Sequence, residues 1–186
     1  MIIGILALQG AFKEHEIVLD KLGISYIELR NKENLMNKID GLILPGGEST
    51  VQGKLLKELD MFETIRQLII DGTPVLATCA GLILLANEID NETTTHLATL
   101  PVTVRRNAYG RQLGSFHTTD YVEGIGEVPM TFIRAPYIIK AVPQVNILSR
   151  VNGNIVGVEY KNQLAFSFHP ELDDDYSIHR KFISMC

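Results

Sequence analysis

The sequence lacks the features that mark secreted and membrane proteins. It has only two cysteines, Cys79 and Cys186, too few for the disulfide framework of a small secreted domain. No apolar run approaches the ~20 residues of a membrane-spanning helix, and the first residues carry neither a basic region nor a small-residue cleavage site. We therefore expect a cytoplasmic protein that makes no membrane contact and keeps its thiols free.

A surplus of basic residues is also missing. The 186 residues include 17 Lys and Arg against 22 Asp and Glu, for a net charge of -5. Because binding to a phosphate backbone relies on Lys and Arg, this balance argues against a nucleic-acid partner. Hydrophobic residues make up 46% of the chain, and no linker or repeat interrupts it, so residues 1–186 are expected to form a single domain.

In the first half, short apolar segments alternate with segments of helical periodicity. Strands are predicted at Met1–Leu8, Ile24–Leu29, Asp40–Leu44 and Pro74–Thr78. Helices are predicted at Ala11–Leu22, Leu35–Ile39, from Val51, at Met61–Ile70 and at Ala80–Asn87. This alternation is typical of an α/β fold with a doubly wound, mostly parallel sheet and helices on both faces, a three-layer, flavodoxin-like arrangement.

The second half changes to short strands separated by turns, followed by a closing helix at Asp173–Met185. The strands are predicted at Thr99–Arg105, Ser115–Val122, Val128–Arg134, Val145–Val151, Ile155–Tyr160 and Gln163–Phe168. We expect this half to extend the parallel sheet with antiparallel or mixed strands.

Cys79 stands between a predicted strand and a predicted helix, where ligands bind in parallel sheets. Its neighbours Thr78, Ala80 and Gly81 are small enough for a sharp turn that presents the sulfur. The helix that follows points its amino terminus at the sulfur, which favours a thiolate nucleophile. Taken alone, the segment is equally consistent with a buried cysteine that packs as a small hydrophobic residue.

A glycine-rich segment, Pro45-Gly46-Gly47-Glu48-Ser49-Thr50, follows another predicted strand. Two glycines free main-chain N–H groups to face a ligand, as an oxyanion hole requires. A plain turn with a Ser or Thr helix cap and an anion nest for phosphate are the alternatives. The segment has no lysine at the Walker position, so it is a poor match to a phosphate-binding P-loop.

His169 and Glu171 follow the last predicted strand and lie two residues apart. In an extended chain both side chains turn to one side, so the carboxylate accepts the imidazole Nδ1–H and leaves Nε2 free as a base. The alternative is a surface His-Pro turn with a solvated glutamate. Of the other histidines, His15 and His179 are expected to be exposed on helices, and His96 and His117 to lie in loops or at strand edges.

Together the three strand ends supply a nucleophile, a base, an orienting carboxylate and oxyanion donors. That set of groups indicates acyl transfer through a thioester. The alternative of a different class is a non-enzymatic α/β redox-sensing domain, in which Cys79 is an oxidisable thiol.

At these residues the chain resembles the class I, or triad, glutamine amidotransferases. It is more narrowly similar to the PdxT family, the glutaminase subunits of pyridoxal 5'-phosphate synthase. The segments that carry this resemblance are Leu6–Ala11, Leu44–Thr50, Cys79–Leu82, Arg106–Gln112, Phe132–Pro136 and Phe168–Leu172. A sister glutaminase, such as that of imidazole-glycerol-phosphate synthase, is the closest alternative.

The resemblance implies hydrolysis of L-glutamine to glutamate and ammonia by a triad of Cys79, His169 and Glu171. The ammonia passes to a pyridoxal 5'-phosphate synthase (lyase) subunit in a hetero-oligomeric complex of vitamin B6 biosynthesis, and this partner helps to set the oxyanion loop. Neither a cofactor nor a metal is expected. The substrate-binding residues that the resemblance implies are Gly46, Gly47, Glu48, Ser49, Ala80, Arg106, Ile133 and Arg134.

The chain departs from the family pattern at a few places outside the triad. Ala77 stands where glycine is usual, Tyr109 where phenylalanine is commoner, and His117 where an acidic residue is common. Residues 87–101 also diverge. We expect altered local shape and partner contacts, with activity kept.

Overall fold

The computed structural model describes residues 1–108 and 114–186. Its helices are α1 (Phe12–Leu22), α2 (Ser49–Glu58), α3 (Phe62–Ile70), α4 (Ala80–Leu85) and α5 (Ser177–Ile183), with short 3₁₀ helices at Glu33–Met36 and Pro170–Leu172. Its strands are β1 (Ile2–Leu6), β2 (Ser25–Leu29), β3 (Gly41–Leu44), β4 (Val75–Thr78), β5 (Ala86–Ile89), β6 (Leu100–Arg105), β7 (Ser115–Val122), β8 (Gly126–Ile133), β9 (Tyr137–Ala141), β10 (Asn146–Val151), β11 (Asn154–Tyr160) and β12 (Gln163–Phe166). Part of the segment Arg106–Gln112, from Tyr109 onward, lies outside the described residues.

One large sheet runs through the protein in the order β2-β1-β3-β4-β12-β11-β9-β6-β5, with β10 paired to β11. The strands from β2 to β12 are parallel, whereas the pairs between β12 and β6 are antiparallel. Strands β7 and β8 form a separate antiparallel hairpin. The predicted mostly parallel sheet with a mixed extension is therefore confirmed.

Side chains that alternate along the central strands build a core on each face of the sheet. In β3, Leu42 and Leu44 face the core covered by α2, α3 and α4, whereas Ile43 faces the opposite core. That opposite core is covered by α1, α5 and the β7–β8 hairpin. Strands that are buried on both faces have continuous apolar sequences, as the strands of the parallel half do. The two cores, one on each face of the sheet, confirm the predicted three layers.

Strand β12 occupies a position in the sheet that its place in the chain does not suggest. It pairs in parallel with β4, with Phe166 opposite Thr78. Strand β3 pairs with β4 on the other side, with Leu44 opposite Ala77. The carboxyl ends of β3, β4 and β12 consequently meet at one edge, which is where an α/β sheet of this type binds ligands.

Several element boundaries differ from the sequence prediction. The helix predicted at Ala80–Asn87 ends at Leu85, and Ala86–Ile89 continues as strand β5. Strand β9 was not predicted, and the closing helix is confined to Ser177–Ile183. In the described part of the chain, no helix has both the length and the apolar character needed to cross a membrane.

The prediction that His15 and His179 are exposed is wrong, since both side chains are completely buried. His15 lies on the face of α1 that also buries Val18 and Leu19. His179 lies on α5 beside the buried Ile178. Both helices pack on the same face of the sheet, and this brings the two imidazoles together beneath the carboxyl ends of the strands.

Candidate active site

A cavity of about 430 Å³ opens where β3, β4 and β12 end. Two of the predicted catalytic residues, Cys79 and His169, line it, whereas the side chain of Glu171 is fully buried behind His169. The described residues that line the cavity are Gln9, Gly47, Glu48, Ser49, Cys79, Ile83, Arg106, Asn107, Ile133, Arg134 and His169. Of the predicted substrate-binding residues, Gly46 and Ala80 are not among these lining residues, although each is the chain neighbour of one that is, Gly47 or Cys79.

Cys79 sits on a strained turn between β4 and α4. Its main-chain angles are φ 48° and ψ -99°, a conformation that L-residues rarely adopt and that is found mainly at functional sites. Its N–H donates to the carbonyl of Phe166 at 2.8 Å, which ties the turn to the end of β12. A side chain at Gly81 would lie 2.1 Å from the carbonyl oxygen of Leu44, so the tight turn needs the glycine there. The strain thus keeps the sulfur on the cavity wall.

The sulfur of Cys79 also approaches the hairpin that covers this edge of the sheet. Its Sγ lies 3.9 Å from the carbonyl oxygen of Ile133, at the end of β8. The next residue, Arg134, has a positive φ of 44°, and its N–H donates to the carbonyl of Gly114. The end of β8 therefore forms one wall of the cavity opposite the strand ends.

His169 is held from two sides. Its main-chain N–H donates to the carbonyl of Thr131 in β8 at 2.8 Å, and its Nδ1–H donates to Oε1 of Glu171 at 2.7 Å. Burial disfavours the charged imidazole, but the interactions with Cys79 and Glu171 outweigh burial and raise the pKa of His169 to about 10. At neutral pH the protein therefore carries an imidazolium beside the Cys79 sulfur, an arrangement that can activate a cysteine as a nucleophile.

Glu171 is ionised although its side chain has no exposure to solvent. Burial alone would raise the pKa of this carboxyl. His15 and the hydrogen bond from His169 outweigh burial and hold the pKa below its usual value. A buried carboxylate that stays charged is suited to orient the imidazole and to stabilise its protonated form.

The glycine pair lies against the imidazole. A side-chain carbon at Gly46 would lie 2.1 Å from Cε1 of His169, so the main chain can approach the ring only because this residue is glycine. The carbonyl of Gly46 accepts a hydrogen bond from the N–H of Ala11 at 3.0 Å. In a planar trans peptide the C=O and the following N–H point in opposite directions, so the Gly47 N–H points away from Ala11.

Gln9 and Gln52 hold this loop in place. The side-chain oxygen of Gln9 accepts from the N–H of Glu48 at 2.7 Å. The buried side chain of Gln52, on α2, donates to the carbonyls of Gln9 and Pro45 at 2.9 and 3.2 Å. The loop around Gly46 and Gly47 is thus held by contacts from the β1–α1 connection and from α2.

Arg106 closes the outer side of the cavity. Its guanidinium donates to the hydroxyl of Thr50 at 2.9 Å and lies 2.8 Å from a carboxylate oxygen of Glu92. These contacts join the segment after β6 to the start of α2. Arg106 therefore places a cation at the rim, where it can meet a carboxylate of a small substrate.

A buried polar cluster behind Glu171 was missed by the sequence analysis. The hydroxyl of Thr78 accepts from the Gly46 N–H at 3.0 Å and lies 3.4 Å from Oε1 of Glu171 and 3.3 Å from Nε2 of His15. Nδ1 of His15 lies 2.9 Å from Nε2 of His179. The available signal was helical periodicity, because Phe12, His15 and Leu19 fall on one face of α1.

The departures from the family pattern lie outside the triad. Ala77 is completely buried in β4, within the core covered by α2, α3 and α4. His117 is exposed on β7, and its Nε2 lies 3.3 Å from Oδ1 of Asp173. Within the described residues, neither side chain lines the cavity.

Comparisons with known proteins agree with this geometry. The model of the SNO glutamine amidotransferase family matches residues 5–186. The chain is 61% identical to a Desulfitobacterium hafniense protein named pyridoxal 5'-phosphate synthase subunit PdxT, over 98% of this chain and 92% of that one. It is 56% identical to a Haemophilus influenzae protein of the same name, over 100% and 98% of the two chains.

A solved structure described as a glutamine amidotransferase superposes with a TM-score of 0.94 at 41% identity, covering 100% of this chain and 98% of that one. The family model and these full-length similarities all point to one family, and the resemblance of the sequence motifs is confirmed. The chain belongs to the SNO glutamine amidotransferase family.

Proposed function

We propose that the protein hydrolyses L-glutamine to L-glutamate and ammonia and is the glutaminase subunit of a pyridoxal 5'-phosphate synthase. The observation that carries this function is the strained Cys79 turn, which shares one cavity with the imidazole of the His169–Glu171 pair. The relatives that bear the name of this synthase subunit favour it over a sister glutaminase or a redox sensor.

In the first step, the Cys79 thiolate attacks the side-chain amide carbon of glutamine and a tetrahedral oxyanion forms. The main-chain N–H groups of Gly47 and Ala80 are the oxyanion donors in this proposal. The orientation of the Gly46–Gly47 peptide supports this role for Gly47, and Ala80 supplies an N–H at the first residue of α4, where no earlier turn of the helix uses it. Each such donor contributes about 3 kcal/mol to lowering the barrier.

In the second step, the C–N bond breaks and the imidazolium of His169 gives its proton to the leaving ammonia. The resulting thioester is then attacked by water, whose proton returns to His169 while the thiolate leaves. Glu171 stays ionised throughout and keeps Nδ1–H of His169 directed away from the reacting atoms. The same imidazole therefore serves as acid and then as base.

The remaining cavity residues bind the substrate in this proposal. Arg106 and Arg134 bring positive charge to the cavity, and Glu48 brings a carboxylate, so the α-carboxylate and α-ammonium groups of glutamine find opposite charges. Ile133 and Ser49 complete the walls. A phosphate nest at Gly46–Ser49 has less support, because the Glu48 carboxylate in the same cavity would repel an anion. A plain capped turn has less support, because no side-chain hydrogen bond caps the start of α2.

The ammonia is delivered to a synthase (lyase) partner in a hetero-oligomeric complex. Ammonia released into water at neutral pH is mostly protonated and no longer nucleophilic, so a glutaminase that serves synthesis benefits from a closed route. We place the reaction in the cytoplasm, where the two cysteines, which form no disulfide with each other, stay as free thiols. One continuous sheet supports the assignment of residues 1–186 to one glutaminase domain.

The test is release of ammonia from glutamine with and without the cognate synthase subunit. The wild-type chain with saturating synthase is expected to be active, and Cys79→Ala to lose at least about 10⁵-fold in kcat, as for other lost nucleophiles. Cys186→Ser, which changes the other thiol, is the matched control and keeps full activity. A diazo-ketone analogue of glutamine should label Cys79, and glutamine should protect it; activity that survives in Cys79→Ala would overturn the proposal.

A further inference from the structure

The interior side of Glu171 is occupied by two histidines that the proposed mechanism does not use. Nε2 of His15 lies 3.5 Å from Oε2 of Glu171, and both side chains are completely buried. Within the described residues, this buried Oε2 makes no hydrogen bond. On the interior side, Nε2 of His15 is therefore the polar group that can orient this oxygen.

The protonation state of the histidine pair follows from the hydrogen-bond chain. Burial lowers the pKa of His15 and lowers that of His179 to about 3, so both are neutral at neutral pH. A neutral imidazole donates from one nitrogen and accepts at the other. If His15 donated from Nδ1 to His179, its Nε2 lone pair would face the Glu171 carboxylate and His179 would bury an unpartnered N–H at Nδ1.

The opposite arrangement satisfies every close contact. His179 donates from Nε2 to Nδ1 of His15, and His15 donates from Nε2 toward Oε2 of Glu171 and the hydroxyl of Thr78. Thr78 then donates to Oε1 of Glu171 and accepts from the N–H of Gly46. The only unused nitrogen is Nδ1 of His179, as a bare acceptor, which costs less than a buried unpaired donor.

We propose that His15, fixed in its tautomer by His179, is a positioning residue that holds the second oxygen of Glu171 and thereby sets the orientation of the His169 imidazole. Through Thr78 the same cluster also holds the Gly46 end of the glycine loop. The cluster is not arranged as a metal site, since no group of three His, Cys, Asp or Glu side chains within residues 1–108 and 114–186 is placed to hold a metal ion. This role rests on the proposed glutaminase function.

The titratable groups that act on His15 come from two other parts of the fold and from its own helix. They are His169 and Glu171 at the end of β12, His179 on α5, and Glu14 on its own helix. Removal of the His15 donor should therefore raise the pKa of Glu171, because one of the interactions that oppose its burial is then lost. The acid side of the kcat profile should move to higher pH.

The experiment compares four variants in complex with saturating synthase. His15→Phe keeps the ring but removes the donor, and is expected to lower kcat at least about tenfold at unchanged KM and to move the acid limb up by about one pH unit. His15→Gln, whose amide N–H can take the place of Nε2, should restore most of kcat. His179→Phe, which frees the tautomer of His15, should fall between them. Leu19→Ala removes a buried apolar side chain from the same helix, leaves every polar group of the cluster unchanged, and is the control for a merely structural effect.

A second measurement does not depend on turnover. In the free chain, the low-field proton NMR signal of the His169 Nδ1–H bonded to Glu171 should shift in His15→Phe and stay in place in Leu19→Ala. Equal kcat, pH profile and NMR signal in His15→Phe and wild type would overturn the positioning role, as would a loss in His15→Phe no greater than in Leu19→Ala. An inactive wild-type complex would instead overturn the glutaminase function, and the NMR comparison would still decide the role of His15. If His15→Phe does not fold, the pH profile of kcat and the NMR signal are measured in His15→Gln and His179→Phe instead.

Discussion

On the cavity side of Glu171 stands one histidine, His169, and on the interior side stand two, His15 and His179. All three are largely or fully buried, yet the pKa of His169 is raised to about 10 and that of His179 is lowered to about 3. Burial acts in the same direction on both. The difference comes from neighbours, because His169 meets a sulfur and a carboxylate, whereas His179 meets another imidazole.

The comparison shows that the histidines on the two sides of the Glu171 carboxylate differ in protonation state. On the cavity side, His169 is protonated and can transfer its proton. On the interior side, His15 and His179 stay neutral near neutral pH and act through hydrogen bonds. A buried group performs acid–base work only where opposite charge compensates its desolvation. Variants on the two sides are therefore expected to fail in different ways.

The largest effect is expected when the carboxylate itself is changed. Glu171→Gln should lower kcat by about 10⁴-fold, since an amide no longer stabilises the imidazolium and disturbs its tautomer. Residual activity should remain above that of Cys79→Ala, because the orienting group matters less than the nucleophile. Ammonia release at equal folding and partner saturation measures both, and a Glu171→Gln variant as inactive as Cys79→Ala would show that the two sides are not separable.

A smaller loss of kcat is expected when one methyl group is added on the cavity side, at Gly46. Gly46→Ala places a methyl group 2.1 Å from Cε1 of His169, so either the imidazole or the glycine loop must move. A displacement of about 1 Å at a catalytic group costs about 10²-fold in rate. The kcat of the variant, together with the rate at which a glutamine analogue labels Cys79, checks this expectation. Gly153→Ala, at an exposed turn outside the cavity lining, is the control for loss of a glycine. Its added methyl group meets no atom within 4 Å, and although its φ of 82° strains the backbone, its kcat should stay at the wild-type level.

The smallest effect concerns the interior side and appears in stability. His179 has a folded-state pKa of about 3 against 6.5 when unfolded, so its contribution to stability is complete above pH 6.5 and is lost as the pH falls toward 3. His179→Phe removes this titration, so its free energy of unfolding should decline less steeply between pH 6.5 and 4 than that of the wild type. Urea denaturation at several pH values measures the slope, and parallel slopes would mean that His179 is already charged in the folded protein.

The residues on the cavity side were accessible to sequence analysis, whereas those on the interior side were not. Cys79, the glycine pair and His169 each end an apolar strand, and strand ends can be recognised locally. The burial of His15 depends on which face of α1 packs inward, which its periodicity indicates, but its partner lies on α5, near the other end of the chain. A contact of that kind is determined by the tertiary fold and by no local pattern.

The same distinction, between local patterns and contacts remote in sequence, explains which parts of the fold were predicted. The parallel half was predicted well, because helices and strands alternate there with clear boundaries. Strand β5 was missed because Ala86 directly follows the apolar residues of α4 and because Ala86–Ile89 is short, with burial at its two ends only. Strand β9 was missed in a stretch without alternation. The insertion of β12 between β4 and β11 follows from pairing between segments remote in sequence, which no local pattern specifies.

The position of β12 also affects when the site is completed during synthesis. Thr78 and Glu171 are 93 residues apart in the chain, and β12 reaches the ribosome exit long after β4. A nascent chain that has already exposed the thiol has neither its base nor the strand that anchors the turn. Under the proposed mechanism, ammonia is therefore not liberated during translation, because His169 reaches the Cys79 thiol only when β12 has joined the sheet.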